Sequence, residues 1–416
     1  MRQHRPALSN SRSSAADVSR RSLLQAVAGL VLLRRAPNAV ESRAAQIVQA
    51  YSDQGVHRTA TFVDERSANW LVHEVSDARL TPIKESFPLN RIDIADCFVE
   101  VGPRRIAAVP LFDGSFTESA GVVGRLATNA ADAEIALLDL TPNTAGAGAV
   151  GTARRRKAHR AIVCVTRGGR PGLCPSNADS FTSPFGPPVV QISSEEGDWL
   201  VERASRGITV RVVAQVKRSP ATAINVTTVV AGRDRTLPPL VIMTPRSGWY
   251  SCASERGGGI ACWIELMRAM RDSNPARDII FVASSGHELG HLGINAFVDQ
   301  RPGIVANSAG WMHFGANIGA ATDPANTVQS SDDESESRLM KAMTSAGLLV
   351  DRRVPRGTIP GGEAEVIHQG GGKYVSVIGR NGLFHNPADR GAETVDAAAI
   401  ARFVDAFVTV ATAIAS

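Results

Sequence analysis

The chain has 416 residues, 44% of them apolar and 20% charged, with a net charge of +5. These proportions belong to a globular protein with a sizeable core and exclude a disordered or membrane-embedded chain. The basic excess sits in the N-terminal stretch and in "ARRRKAHR", Ala153 to Arg160, with no aromatic residues between the charges and no nucleic-acid motif after them. A solvated loop explains that run, and nucleic acid is not an expected partner.

Near the N-terminus, "SRRSLLQAVAGLVLL" places Arg20 and Arg21 ahead of a short apolar segment ending near Leu33. Spanning a bilayer takes about 20 apolar residues, so no stable membrane anchor is expected from it. It is similar to a twin-arginine export signal, read by a receptor, and Arg34-Arg35 after the apolar run is tolerated in that route. Residues 1–44 are therefore expected to be signal and linker, and the protein to be exported, to the periplasm or beyond. Cys97, Cys164, Cys174, Cys252 and Cys262 include no C-x-x-C pair; in an oxidising compartment Cys164 with Cys174 is the most local disulfide, and buried free thiols are the alternative.

Residues 45–110 mix helix and strand patterns. "SANWLVHEVSDA" predicts a helix capped by Ser67, and "RIDIADCFVEV" alternates as a strand. Over 111–218, "RAIVCVTRG", "PPVVQIS" and "GDWLVERASRGITVRVV" read as strand, strand, helix and strand, with no cluster of catalytic residue types. Through "PPVVQIS" and "GDWL…GITVRV" this smaller β-rich segment resembles the protease-associated domain inserted in several exported peptidases.

From 219 to 416 the rhythm is strand–helix–strand. "PPLVIMTP" and "RDIIFVASS" are continuous apolar runs, as in parallel strands buried on both faces. Ile260, Trp263, Ile264, Met267 and Met270 recur at helical spacing. "GWMHFG", "EAEVIHQ" and "KYVSVIG" are expected strands, "SESRLMKAMTSAG" an expected helix behind the acidic run "SSDDESESR", and a long helix from Val395 to Ala415 closes the chain. The alternation predicts an α/β fold: a doubly wound, mainly parallel sheet flanked by helices.

"SSGHELGHLGI" contains His287-Glu288-Leu289-Gly290-His291, an H-E-x-x-H. In a zincin both histidines lie one turn apart on a helix already running before the first of them. Here "DIIFVASSG" precedes, a strand with its exit, and Gly290 and Gly293 would each cost a helix roughly 1 kcal/mol. The segment is better read as a strand end. In open α/β sheets ligands bind beyond the C-terminal ends of the strands. His287, His313, His368 and His385 all fall near expected strand ends, as do Glu288 and the glutamates Glu363 and Glu365, so a shared site is expected there; His291 is left outside it.

The order of these segments resembles the zinc aminopeptidase and glutamate-carboxypeptidase-like metallopeptidases, which use two co-catalytic zinc ions. "ASERGGGIACWIELMRAM" is similar to that family's Asp-containing, Gly-rich helix entry, "IIFVASSGHELGHLGI" to its paired-glutamate segment, and "GLFHNPADRGAETVD" to its closing His motif. The departures are specific. Pro245-Arg246-Ser247 stands where the family has His-x-Asp, His287 stands where it has its base glutamate, and His313 stands where it has an aspartate. Carried over position by position, Glu255, Glu288 and His385 survive as metal ligands. The resemblance implies one zinc on that trio, with His313 as a fourth ligand and His287 as general base. Arg246 and Arg256, flanking the expected entrance, could hold a substrate carboxylate or lie on the surface. The expected function is an altered metallohydrolase cleaving an amide bond of a peptide or related small substrate. The alternative is a catalytically inactive, peptidase-fold binding protein.

Overall fold

The computed structural model describes residues 1, 38–128 and 133–416; the twin-arginine segment lies outside them. The centre of the sheet is four parallel strands: β9 (Leu240–Pro245), β10 (Ile279–Ser284), β11 (Gly310–Phe314) and β14 (Tyr374–Arg380). They lie in the order β14-β11-β9-β10, with Ile242 opposite both Phe281 and Met312. Every residue of β9 and β11 is buried, which is why both read as unbroken apolar runs. Antiparallel strands complete the edges: β12 (Ala325–Ser330) on β14, and the long β8 (Thr209–Val230) on β10, followed by β1 (Ile83–Val101). The sheet is mixed, with a parallel centre.

Successive strand residues face opposite sides, and helices cover both. Leu240, Ile242, Phe281 and Met312 pack against α1 (Ala39–Ser52), α5 (Gly258–Met270), α8 (Asp333–Ser345) and α10 (Ala397–Ala415). Val241, Met243, Val282 and Trp311 pack against α6 (Leu292–Asp299), α7 (Ile304–Asn307) and α9 (Ala364–Gln369). The last helix, α10, is long and apolar enough to cross a membrane by length and composition. Its Phe403, Phe407 and Val410 are nevertheless buried in the core, with Phe407 stacked on Phe314 at 4.0 Å.

β1 and β8 pair antiparallel along nearly their whole length, from Ile83 opposite Thr227 to Glu100 opposite Arg211. One half of β8 pairs with β10. The other half pairs with β4 (Val122–Ala127), which leads into the parallel strands β5 (Ile135–Leu140), β6 (Ala161–Thr166) and β7 (Val189–Ile192) with a core of their own. β8 runs unbroken through residues 218 and 219, the boundary expected from composition, because a strand shared by two cores leaves no linker to see.

Two local expectations are corrected, and the open question of the cysteines is answered. α2 (Phe62–Asp77) starts before Ser67: Thr61 caps it by accepting from Asp64 N, and Ser67 is buried mid-helix. "EAEVIHQ" is helical, not a strand, because glycines at 361–362 and 370–372 bracket a single short turn. All five cysteines are free and buried.

Candidate active site at the strand ends

β10 leaves the sheet at Ser284, and Gly286 at φ 87° turns the chain into a single 3-10 turn, His287–Leu289. Gly290 and His291 also lie in the left-handed region, so α6 begins only at Leu292. The helix that a zincin needs is absent here. The turn nevertheless brings His287 and His291 together, ring centroids 5.1 Å apart.

The carboxylate of Glu363 faces them. Its Oε1 lies 2.8 Å from His287 Nδ1 and its Oε2 lies 3.1 Å from His313 Nε2. Gln329 Nε2 donates to Ser376 Oγ at 3.0 Å, which directs the single hydroxyl hydrogen of Ser376 to His313 Nδ1, 2.9 Å away. His313 therefore carries its proton on Nε2, towards Glu363. An ionised carboxylate only accepts, so His287 carries its proton on Nδ1 and keeps the lone pair on Nε2. Burial works to raise the Glu363 pKa, but the imidazoles of His287 and His313 overcome it and hold the carboxyl well below its usual range. Burial, followed by the charge of Arg256, lowers the pKa of His287, so the ring is neutral at ordinary pH. Gly362, at φ 65°, is required here: a Cβ would stand 2.7 Å from His313 Cε1.

His287, His313 and Glu363 line a cavity of about 850 Å³, with Arg167 from the β6 side and Arg380 from β14 also in its wall. Among the described residues, the group able to hold a metal is His287, His291 and Glu363, whose ligand atoms lie within 4.8 Å of one another. Tetrahedral zinc with bonds of about 2.1 Å spaces its ligands about 3.4 Å apart, so an ion would draw this trio in by roughly 1 Å.

The ligands carried over from the resemblance are arranged differently. Glu255 and His385 do meet, with His385 Nε2 3.4 Å from Glu255 Oε1. Glu255 also faces Arg256, whose Nη2 lies 2.8 Å from the same oxygen. Burial would raise the pKa of Glu255, but Arg256 and then His385 bring it down to about 2. Glu288 is not part of this group. Its Oε1 accepts from Thr59 N and Thr59 Oγ1, and its Oε2 from Ser247 Oγ, each at 2.7 Å. Ser247 is the residue standing in the lost His-x-Asp position, and its hydroxyl also accepts from Gly286 N and His287 N.

Asp389 fastens the opposite side. Its oxygens accept from Ser254 N, Ser254 Oγ and Glu255 N at 2.6–2.9 Å, and burial raises its pKa to about 6. The loop between β6 and β7 closes over the site: Pro175 O takes His385 Nδ1–H at 2.5 Å, and Trp249 Nε1 donates to Asn177 Oδ1 at 3.0 Å.

Arg246 is corrected. It is wholly buried, donating from Nη1 to Asp64 O and Asp64 Oδ1 at 2.9 and 2.7 Å and from Nη2 to Ile224 O, so it fastens α2 to the sheet and does not face the cavity. Arg256 is at the site but buried, so it is not an entrance arginine. Sequence reasoning set His291 aside with the helix that its motif demanded, and placed Glu363 at the shared strand-end site without assigning it as a ligand or as the partner of His287.

No family model matches the sequence, and no curated protein matches it. Solved structures do. The chain aligns over 89% of its length with 93% of a zinc aminopeptidase from Bacillus subtilis, at a TM-score of 0.73 and 15% identity. The fold is that of the zinc aminopeptidases. A peptidase M28 precursor from Shewanella amazonensis has the same fold at a TM-score of 0.70 and 16% identity, covering 91% of this chain and 96% of that one. An aminopeptidase from an Aneurinibacillus strain does so at 0.66 and 14%, covering 90% and 93%. Within the zinc-aminopeptidase fold, the position implied for zinc here does not fit one. Glu288 already accepts from three donors, and a guanidinium stands against Glu255.

Proposed function

We propose that the protein is an exported peptidase-like hydrolase that cleaves an amide bond of a peptide or related small substrate at a rebuilt, single-metal centre. The carrying observation is the convergence of His287, His291 and Glu363, two of which, His287 and Glu363, line the cavity. Two imidazoles and a carboxylate are zinc ligands, and three protein ligands leave a position for water or substrate. A zinc ion there would supply a Lewis acid for the scissile carbonyl.

The chain's own residues do the rest. Glu363 Oε1 lies 2.8 Å from His287 Nδ1, so an ion shared by the two would be held through that nitrogen in place of its proton, and the imidazole expected as base would become a ligand. Gln329, Ser376 and His313 hold the other carboxylate oxygen in place. The loop carrying Pro175 and Asn177 covers the inner side and keeps bulk water from Glu255 and Glu288. The metal content of purified protein, measured by plasma mass spectrometry, tests this. About one zinc per chain, lost in Glu363→Gln and in His291→Ala, is expected together with peptidase turnover.

A second reading has its own observation. Every buried carboxylate in the site already has partners from the chain: Glu255 has Arg256, Glu363 has two imidazoles, and Glu288 has three donors. Such a balanced site suits a metal-free binding protein. Protein that stays metal-free after zinc is supplied, and inert towards peptides, would decide for it.

A further inference from the structure

Glu255, Arg256 and His385 are each at most 1% exposed, yet four of their polar atoms have no hydrogen-bond partner: Glu255 Oε1, Arg256 Nη1, Arg256 Nη2 and His385 Nε2. Unpaired buried groups of this kind are rare and costly. Arg256 Nη2 stands 2.8 Å from Glu255 Oε1, close enough for an ion pair but not aligned for a hydrogen bond. The guanidinium is anchored from behind, through Nε to Ser247 O at 2.8 Å.

The other two atoms have a definite geometry. A carbonyl only accepts, so the contact with Pro175 O places a proton on His385 Nδ1 and leaves Nε2 turned towards Glu255. Neither Nε2 nor Glu255 Oε1 has a hydrogen-bond partner, and a cation between or beside them would satisfy both. Their separation, 3.4 Å, matches the spacing of about 3.4 Å between two ligands on one tetrahedral ion with bonds of about 2.1 Å. The strained backbone of His385, at φ 55°, and the donors that Asp389 takes from Ser254 and Glu255 hold both partners in place.

We infer that Glu255 and His385 form a divalent-cation half-site that the guanidinium of Arg256 closes, serving as a resident cation in place of a metal ion. A covalently attached positive charge holds this pair together at all metal concentrations, whatever occupies the neighbouring cavity. The half-site does not depend on the hydrolase reading, because it shares no ligand with His287, His291 and Glu363.

The test is zinc and cobalt(II) titration of the full chain in a Glu363→Gln background, which silences the cavity group. Arg256→Ala in that background is expected to bind one equivalent of metal and to show a metal-dependent rise in unfolding midpoint. Arg256→Lys keeps the charge, and neither it nor the Glu363→Gln parent should bind. Adding His385→Phe to the Arg256→Ala protein should abolish the new equivalent. The inference is overturned if folded Arg256→Ala binds no metal, if the parent already binds one through His385, or if Arg256→Ala fails to fold with and without zinc, since a metal would then not replace the guanidinium. Metal in wild type that Glu363→Gln removes bears on the cavity centre alone.

Discussion

Glu363 accepts from His287 and His313 at once, one imidazole on each carboxylate oxygen, joining the end of β10 to β11 through a residue that precedes a different helix. Both rings depend on that one carboxylate for orientation. In Glu363→Gln the amide offers a single acceptor oxygen, so one imidazole N–H loses its partner. Breaking a buried, charge-assisted pair costs about 3 kcal/mol. Urea unfolding should show a loss of that order, and NMR of the histidine side chains should show His287 and His313 both changed. A variant as stable as wild type would mean that the two imidazoles are not held by Glu363.

Glu288 separates the inherited ligand set from the observed one. Glu288→Gln replaces an acceptor of three hydrogen bonds with a group that must turn an NH2 towards Thr59 or Ser247. Stability should fall by about 2 kcal/mol while metal content stays at the wild-type level. Loss of metal in a folded Glu288→Gln protein would restore Glu288 as a ligand.

Arg246 is predicted to be structural. Its pairing with Asp64 is fully buried, and Arg246→Met leaves that carboxylate without its cation, at a cost of about 3 kcal/mol or more. On whatever substrate the protein accepts, KM for the folded fraction should not move. A raised KM with unchanged stability would return Arg246 to the binding role expected from its position.

His57 gives a pH signature away from the cavity. It stacks on Tyr51 at 3.8 Å, and burial, the largest influence, takes its pKa from 6.5 to about 3. The unfolded chain protonates His57 below 6.5 and the folded chain only near 3, so its contribution is complete above 6.5 and is lost as pH falls through that interval. At about pH 4.5 the loss is about 3 kcal/mol relative to neutral pH. Other buried groups titrate in the same range, so the quantity to measure is the stability difference between His57→Phe and wild type. The variant gives up the bond to Tyr51 O, about 1 kcal/mol at neutral pH, and should gain on wild type as pH drops. A pH-independent difference would show that His57 is protonated in the folded state.

Most of the fold is legible in the residue pattern. Leu240–Pro245 and Ile279–Ser284 are apolar on both faces, and Ile260 to Met270 repeat at helical spacing, so burial alone assigns them to parallel strands and a packed helix. Such patterns are redundant: each extends over many residues, and one exception does not erase it. The strand ends that carry His287, His313 and Glu288 follow from the same alternation. What those side chains face does not. Glu288 Oε1 is filled by Thr59, 229 residues away, Glu363 reaches across 76 residues to His287, and Arg246 turns away to Asp64. The direction of one carboxylate is set by a few donors delivered from distant segments, and no local period encodes them. The sequence by itself determined the sheet, its helical layers and the edge where the histidines gather. Only the tertiary structure decided which atoms meet there, because each hydrogen bond and ion pair depends on single donors and acceptors brought together from distant segments.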